Sequence, residues 1–258
     1  MTTQRNAGTR RSQEELPAGS RPLEIVRIVS DHRDVSCLVR DQRPRLGAPT
    51  LPTLFSYVVR WDAGSAPNPF WGVCTLAICK PQIRRSARAG DWVIGFASGG
   101  APLSRAGNRI VYAMRVTESM PWPVYDALCR SRLERKIPDM TSPDLRLQRG
   151  DCQYDCRTDP PTQRPGVHGP DARGKDLGGP VLLSEHFRYY GANARLLPAS
   201  LREIAPHGRG FRSRRNAPFV DRFVAWFERL ADPLNEPLGR PIGWPPAAAP
   251  ARRRGRRC

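Results

Sequence analysis

The amino-acid sequence predicts an α+β fold in which helices flank a small, strongly bent mixed sheet. Three short segments rich in β-branched and aromatic residues are typical of buried strands, and they lie at 54–62, 92–98 and 109–119. Two segments with helical periodicity, 121–136 and 217–232, follow these strands instead of alternating with them. This order favours a mixed α+β arrangement over a doubly wound α/β sheet.

The predicted strands are separated by turn signals. "LFSYVVRWD" forms the first, and the Gly- and Pro-rich "AGSAPNP" ends it. "FWGVCTLAIC" (70–79) has the apolar density of a strand or a short helix. The Gly-Asp pair at the end of "KPQIRRSARAGD" precedes the strand "WVIGFAS", and "RIVYAMRVTES" alternates apolar and polar residues as a half-buried strand does.

The second half of the domain has fewer clear elements. "PWPVYDALCRSRLERK" (121–136) begins with proline and continues with helix formers. Residues 138–180 show no period, and a loop of that length is either functional or disordered. "PVLLSEHFRYYG" (180–191) has strand-like composition, whereas 217–232 is an amphipathic helix with one broad apolar face.

Composition divides the chain into three parts. Residues 1–52 are polar and Arg-rich and are expected to be a disordered extension, and residues 233–258 are expected to be a disordered Pro-, Ala- and Arg-rich tail. The domain itself is expected at 53–232.

The formal net charge is +18, which predicts an anionic partner, most simply DNA or a nucleotide. A GC-rich coding sequence is the alternative explanation, because every basic residue except Lys80, Lys136 and Lys175 is arginine.

The sequence shows no secretory h-region and no apolar run long enough to cross a membrane. We therefore expect a cytoplasmic protein with no membrane partner. The seven cysteines are scattered, and the spacing of Cys152 and Cys156 does not fit a zinc site, so no metal is predicted. We find no phosphate-loop or dinucleotide fingerprint and predict no cofactor.

The stretch "APNPFWGVCTLAICKP" predicts a ligand pocket. Two prolines hold Asn68 rigidly, and its carboxamide offers a donor and an acceptor that suit the edge of a base. Phe70 and Trp71 can then stack on that base, while Lys80 and Arg84 meet a phosphate. The alternative is that Asn68 caps a turn and Phe70 packs in the core.

Other residues are assigned roles in or near this pocket. Asp62, Lys80 and His186 are candidate acid or base groups, although an Asp at a strand end more often closes a turn. Tyr190 is a candidate lining residue at the end of a strand. The Gly- and Arg-rich stretch "GRGFRSRR" predicts contacts to a nucleic-acid backbone through Arg209, Arg212, Arg214 and Arg215.

Residues 54–98 together with "NRIVYAMRVTES" resemble the nucleotide modification associated domain 2 family, and "PVLLSEHFRYYGANARLLP" with "GRGFR" fits the later part of that family. The resemblance spans roughly residues 54–228. It implies a role in bacterial or phage systems that make or handle modified DNA bases. "GDWVIGFAS…RIVYAMRVTES" is also similar to PUA-like domains that recognise modified bases, and this similarity implies a partly open β-barrel.

Three functions remain open at this point. The first is binding of a modified base or nucleotide in the pocket with Asn68, Trp71 and Lys80. The second is an enzyme, a transferase or a hydrolase, that acts on a nucleotide or base during modification. The third is a structural partner of other base-modification proteins, for which an uncovered apolar face on 217–232 would be needed.

Overall fold

The computed structural model describes residues 51–98, 108–206, 208 and 210–244, and these residues form a mixed α+β domain. The sequence predictions for 1–50, for Arg209 and for 245–258 lie outside them. None of the helices in these ranges has the length and apolar character needed to cross a membrane.

The main sheet is mixed and open. Its strands are β1 (Leu54–Val59), β3 (Trp92–Ala97), β4 (Arg109–Arg115), β9 (Phe187–Tyr189), β10 (Arg195–Leu196) and β11 (Phe211–Arg212). Their order in the sheet is β10-β4-β3-β1-β11, with β9 also paired to β4. Strands β1 and β3 run parallel, and the other pairs are antiparallel.

Two smaller sheets lie beside it. Their strands are β2 (Cys74–Leu76), β5 (Glu118–Met120), β6 (Tyr154–Asp155), β7 (Thr162–Gln163) and β8 (Val181–Ser184). One sheet is antiparallel with the order β2-β8-β5, and the other pairs β6 with β7. The helices are α1 (Pro81–Ser86), α2 (Trp122–Ser131), α3 (Leu145–Gln148), α4 (Arg173–Asp176) and α5 (Val220–Glu228).

Both faces of the main sheet are buried, which explains the nearly continuous apolar runs in its strands. In β1, Phe55 and Tyr57 point into one apolar cluster while Leu54 belongs to the other. The second cluster includes Phe223 and Phe227 of α5, so the apolar face of this helix is covered by the sheet. This alternation follows from the two-residue period of a strand.

The structure confirms the mixed α+β class and the strands predicted at 54–62 and 92–98. The described strands do not close into a barrel. The prediction of one continuous strand at 109–119 is wrong. Strand β4 ends at Arg115, and β5 begins at Glu118 in a different sheet. Of the segment 70–79, only β2 is a strand.

The long aperiodic region 138–180 contributes buried residues to the domain. Asp151, Gln153, Tyr154 and Asp176 are all inaccessible to solvent. The described part of the expected tail, 233–244, also contacts the domain, since the Trp244 indole donates to the Ala63 carbonyl at 2.8 Å. The exact domain limits inferred from composition stay a prediction.

Candidate functional site

A cleft of about 570 Å³ opens where β1 ends and the turn into α1 begins. The region 138–180 forms its other wall. Lys80, one of the predicted ligand residues, lines this cleft together with residues that the sequence did not single out. Its aromatic, charged and nucleophilic lining residues include Tyr57, Arg60, Trp61, Cys79, Lys80, Arg149, His168 and Lys175.

Positive charge surrounds the cleft. Arg60, Lys80, Arg149 and Lys175 line it, and they come from four separate parts of the chain. The Lys80 ammonium lies 4.5 Å from the centre of the Tyr57 ring, a cation–π distance. Burial lowers the pKa of Lys80, because removing an ammonium from water disfavours its charged form.

At one wall of the cleft, the His168 imidazole lies between the Cys79 thiol and the Asp176 carboxylate and contacts both of them. Cys79 Sγ lies 3.5 Å from His168 Nε2, and His168 Nδ1 lies 2.7 Å from Asp176 Oδ2. Cys79 and His168 line the cleft, whereas Asp176 is fully buried behind them. This is the order of contacts found in a nucleophile, its base and the group that orients the base.

The turn that presents Cys79 has an unusual backbone. Cys79 and Lys80 adopt φ values of 60° and 42°, in the left-handed region that non-glycine residues rarely occupy. Each such residue costs about 1–3 kcal/mol and persists only where its surroundings hold it. Here the Cys79 amide donates to Asp176 Oδ1 at 3.0 Å, so one carboxylate contacts both the turn and the imidazole.

The contact with Asp176, and secondly that with Cys79, raises the pKa of His168 from 6.5 to about 10. A histidine whose folded pKa is raised stabilises the protein fully below its unfolded pKa, and this stabilisation is lost as pH rises through the folded value. We therefore expect the free energy of unfolding of the wild type to fall more between pH 6.5 and about 10 than that of His168→Gln.

Urea unfolding of both proteins at the two ends of this range checks the expectation. Other groups titrate in the same interval, but they are shared by the two proteins, and the difference between them isolates His168. An equal loss of stability in both proteins would contradict the imidazolium–carboxylate pair.

Arg84, predicted to meet a phosphate, is instead committed to internal hydrogen bonds. Its side chain is fully buried, and burial lowers its pKa to about 10. Its guanidinium donates at 2.6–2.9 Å to five backbone carbonyls, those of Cys79, Lys175, Asp176, Gly179 and Pro180. Arg84 thereby ties the turn at Cys79 to the segment that carries Asp176.

Asn68 is fully buried and does not line the cleft with Lys80. Its Nδ2 donates to the Arg149 carbonyl at 2.9 Å, and its Oδ1 accepts from Lys136 Nζ at 2.6 Å. Its backbone also forms two hydrogen bonds with Thr75. The Asn68 carboxamide therefore points into the protein.

Lys136, which sequence reasoning missed, is the centre of this buried network. Its ammonium donates to the carbonyls of Asn68 and Val73 and to Thr75 Oγ1 in addition to the Asn68 side chain. Thr75 Oγ1 in turn donates to the buried Asp151 carboxylate at 2.6 Å. Burial lowers the pKa of Lys136, and the negative charge of Asp151 partly opposes this effect.

Phe70 and Trp71 lie at a second cavity of about 430 Å³, not at the cleft with Lys80. The Phe70 ring stacks on Trp244 at 5.6 Å between ring centres. The Trp71 ring lies between two guanidinium groups, 4.8 Å from that of Arg135 and 4.6 Å from that of Arg146.

The remaining predicted side chains are also outside the cleft lining. Asp62 is buried and accepts the Tyr189 hydroxyl at 2.7 Å, and burial raises its pKa. His186 Nε2 lies 2.8 Å from Glu228 Oε1. The hydroxyl of the buried Tyr190 donates to an Asp232 carboxylate oxygen at 3.2 Å.

The predicted basic stretch is described only in part. Arg212 lies in β11 and donates to the carbonyls of Glu203 and Ala205. Arg214 and Arg215 are exposed at the start of a 3₁₀ turn. A contact between any of these three residues and a nucleic-acid backbone stays a prediction.

Comparison with known protein families shows to which family the chain belongs. The family model described as nucleotide modification associated domain 2 matches residues 51–247. The chain belongs to this family. The match confirms the resemblance seen in the sequence, and it includes the whole cleft and the segment that carries His168 and Asp176. No curated protein and no solved structure gives a significant match to this family member.

Proposed function

We propose that this nucleotide modification associated domain 2 protein binds a nucleotide or a modified DNA base in the cleft at Cys79. The observation that carries the proposal is the convergence of Arg60, Lys80, Arg149 and Lys175 on one cavity. Such a group of cations favours a phosphate-bearing ligand, because charge-assisted hydrogen bonds to phosphate are strong. The family membership supports a nucleotide as that ligand.

An aromatic platform at the rim supports the same proposal. Trp61 lines the cleft with 73% of its surface exposed, which is unusual for so large an apolar side chain. Stacking of a base on an exposed indole stabilises a complex by about 1–3 kcal/mol. We assign base stacking to Trp61 and phosphate binding to the four cations.

Some of the residues predicted to bind the ligand take other roles in the structure. The proposal keeps Lys80 as a phosphate contact and gives Asn68 and Arg84 the structural role that their buried hydrogen bonds support. Trp71 stays a proposed second platform at its own cavity, whereas Phe70 is buried against Trp244. Arg214 and Arg215 remain proposed contacts to a DNA backbone.

We place this activity in the cytoplasm, in a bacterial or phage DNA-modification system where other base-modification proteins act on the same substrate. The function of a structural partner alone lacks its main support, because α5 packs its apolar face against Trp92 and its neighbours. The similarity to PUA-like barrels stays a prediction, since the described sheet is open.

Titration with the deoxynucleoside monophosphates, and with duplex DNA with and without modified bases, tests the proposal. We expect Lys80→Ala to weaken nucleotide binding by about 10- to 100-fold, because one charged contact is worth roughly 1.5–3 kcal/mol. Trp61→Ala is expected to weaken it by a similar factor. Affinity should fall steeply with salt concentration.

Arg202→Ala is the matched control, since it removes one exposed charge from a residue that does not line the cleft. If Lys80→Ala and Arg202→Ala weaken binding equally, the cleft is not the nucleotide site. Binding that does not change with salt would contradict the phosphate contacts.

A further inference from the structure

Nucleotide binding does not account for the thiol of Cys79 in the cleft. The four cations need no thiol among them, yet Cys79 Sγ lies in the same cleft and 3.5 Å from an imidazole nitrogen. The second nitrogen of that imidazole, on His168, faces the buried Asp176 carboxylate at 2.7 Å. Cys79 lies about ninety residues before the segment that carries His168 and Asp176, and the fold brings the three groups into one line of contacts.

Asp176 is held so that it can orient the imidazole. It is fully buried, accepts the Cys79 amide at 3.0 Å and accepts the Tyr154 hydroxyl at 3.2 Å. The Arg84 guanidinium donates to the backbone carbonyls of both Cys79 and Asp176, and so it links the two chain segments. These hydrogen bonds hold the Asp176 carboxylate in place, and the carboxylate in turn fixes the direction of the His168 ring.

The other described thiols lack these features. Cys74, Cys129 and Cys152 are buried, and burial raises the pKa of Cys74 to about 12. Cys156 is partly exposed, and its backbone amide donates to the Asp126 carboxylate at 3.1 Å. Among the residues that the structure describes, Cys79 alone combines partial exposure with an imidazole contact.

We propose that Cys79 is the nucleophile of a thiol active site that hydrolyses an ester or amide carried by a phosphate-bearing substrate. His168 is the acid and base, and Asp176 is the residue that positions it. The assignment of the phosphate to a nucleotide rests on the proposed function above, whereas the thiol chemistry does not.

The reaction balances with water as the only co-reactant. His168 already carries a proton at neutral pH, so the Cys79 thiolate attacks directly: Sγ bonds to the carbonyl carbon, whose oxygen becomes an oxyanion. When the carbonyl re-forms, the bond to the alcohol or amine breaks, and His168 gives that leaving group its proton. A water molecule then gives a proton to the neutral His168 and attacks the thioester, so that the C–S bond breaks and the thiolate and the imidazolium are restored.

Lys80 is placed to assist the first step. It follows Cys79 directly in the chain, and its ammonium lines the same cleft. A positive charge beside a developing oxyanion stabilises the transition state more than the substrate. The Cys79 amide, by contrast, is already donated to Asp176 and is not available to the oxyanion.

Alkylation of the full chain by iodoacetamide at neutral pH, read out for each cysteine by peptide mass spectrometry, is the first test. We expect Cys79 to react roughly tenfold faster than Cys156, because Cys79 Sγ lies 3.5 Å from His168 Nε2, whereas burial raises the pKa of the Cys156 thiol to about 11. His168→Gln should remove most of this difference. Equal rates at Cys79 and Cys156 in the wild type would overturn the proposal.

The second test uses 4-nitrophenyl acetate, a neutral ester that needs no phosphate contact. We expect a burst of nitrophenolate stoichiometric with the protein, with an acetyl group on Cys79, since a thioester intermediate accumulates in this way. Cys79→Ala should abolish the burst, and Cys156→Ala should retain it. A wild type without a burst overturns the thiol proposal even where nucleotides bind.

The deoxynucleoside monophosphates separate the two proposals. We expect them to protect Cys79 from iodoacetamide if the cleft holds nucleotides. A burst without such protection contradicts the proposed function and leaves the thiol site intact.

Asp176→Asn tests positioning. Loss of the carboxylate should move the pH profile of Cys79 alkylation to higher pH, because the imidazolium then persists over a narrower range. A purely structural role would lower the rate without moving the profile, and that result would overturn the role given to Asp176.

Discussion

Replacement of Lys136 by methionine is expected to destabilise the domain by about 3–5 kcal/mol, because it leaves a buried carboxylate without its compensating charge. Lys136 is fully buried, and its ammonium donates to Asn68, Val73 and Thr75. Methionine fills a similar volume but offers no donor. Asp151 would then be buried without its neighbouring positive charge.

Urea unfolding followed by circular dichroism measures this loss. Lys175→Met is the matched control, since it makes the same substitution at an exposed position and should change stability by no more than about 0.5 kcal/mol. The double variant Lys136→Met with Asp151→Asn should recover part of the stability, because it removes both charges. Equal stability of Lys136→Met and Lys175→Met would contradict the buried network.

The strands and the last helix were predictable because burial on one or both faces leaves a clear period in the sequence. In β1 and β3, apolar residues serve both sides of the sheet, and in α5 the residues Phe223 and Phe227 recur at helical spacing. The division between β4 and β5 was not visible, since the alternation continues through 109–119 while hydrogen bonding passes to another sheet.

The candidate site was predictable only in part. Local sequence singled out Asn68 and Lys80, and of these two Lys80 lines the cleft. The direction in which the Asn68 carboxamide points could not be predicted, because it depends on Lys136 and Arg149, which lie far away in the chain. His168 and Asp176 come from the aperiodic region 138–180, where no local pattern indicates which residues meet Cys79.

One weak signal for the site was present in the composition. All but three of the 42 basic residues are arginine, and the three lysines have distinct positions. Lys80 and Lys175 line the cleft, and Lys136 is the buried donor. An ammonium fits a compact donor site that a planar guanidinium does not, which gives a physical reason for lysine at position 136.

Arg84→Lys is expected to destabilise the domain by about 3 kcal/mol or more and to remove the reactivity of Cys79. The planar guanidinium of Arg84 binds five carbonyls, and a lysine ammonium has only three donors in a different geometry. Each buried carbonyl left without a donor costs about 1–3 kcal/mol. The segment from Lys175 to Pro180 would lose its anchor to the Cys79 turn.

The neighbouring residue supplies the control. Arg85 is exposed and makes a single recorded contact, from its guanidinium to the Gly178 carbonyl at 2.9 Å, so Arg85→Lys should change stability by about 0.5 kcal/mol or less. Urea unfolding gives the stability of both variants, and iodoacetamide labelling gives the ratio of Cys79 to Cys156 reactivity. If Arg84→Lys keeps both the stability and that ratio, the five-carbonyl clamp does not hold Asp176 against Cys79, because a displaced carboxylate would release His168 and equalise the two thiols.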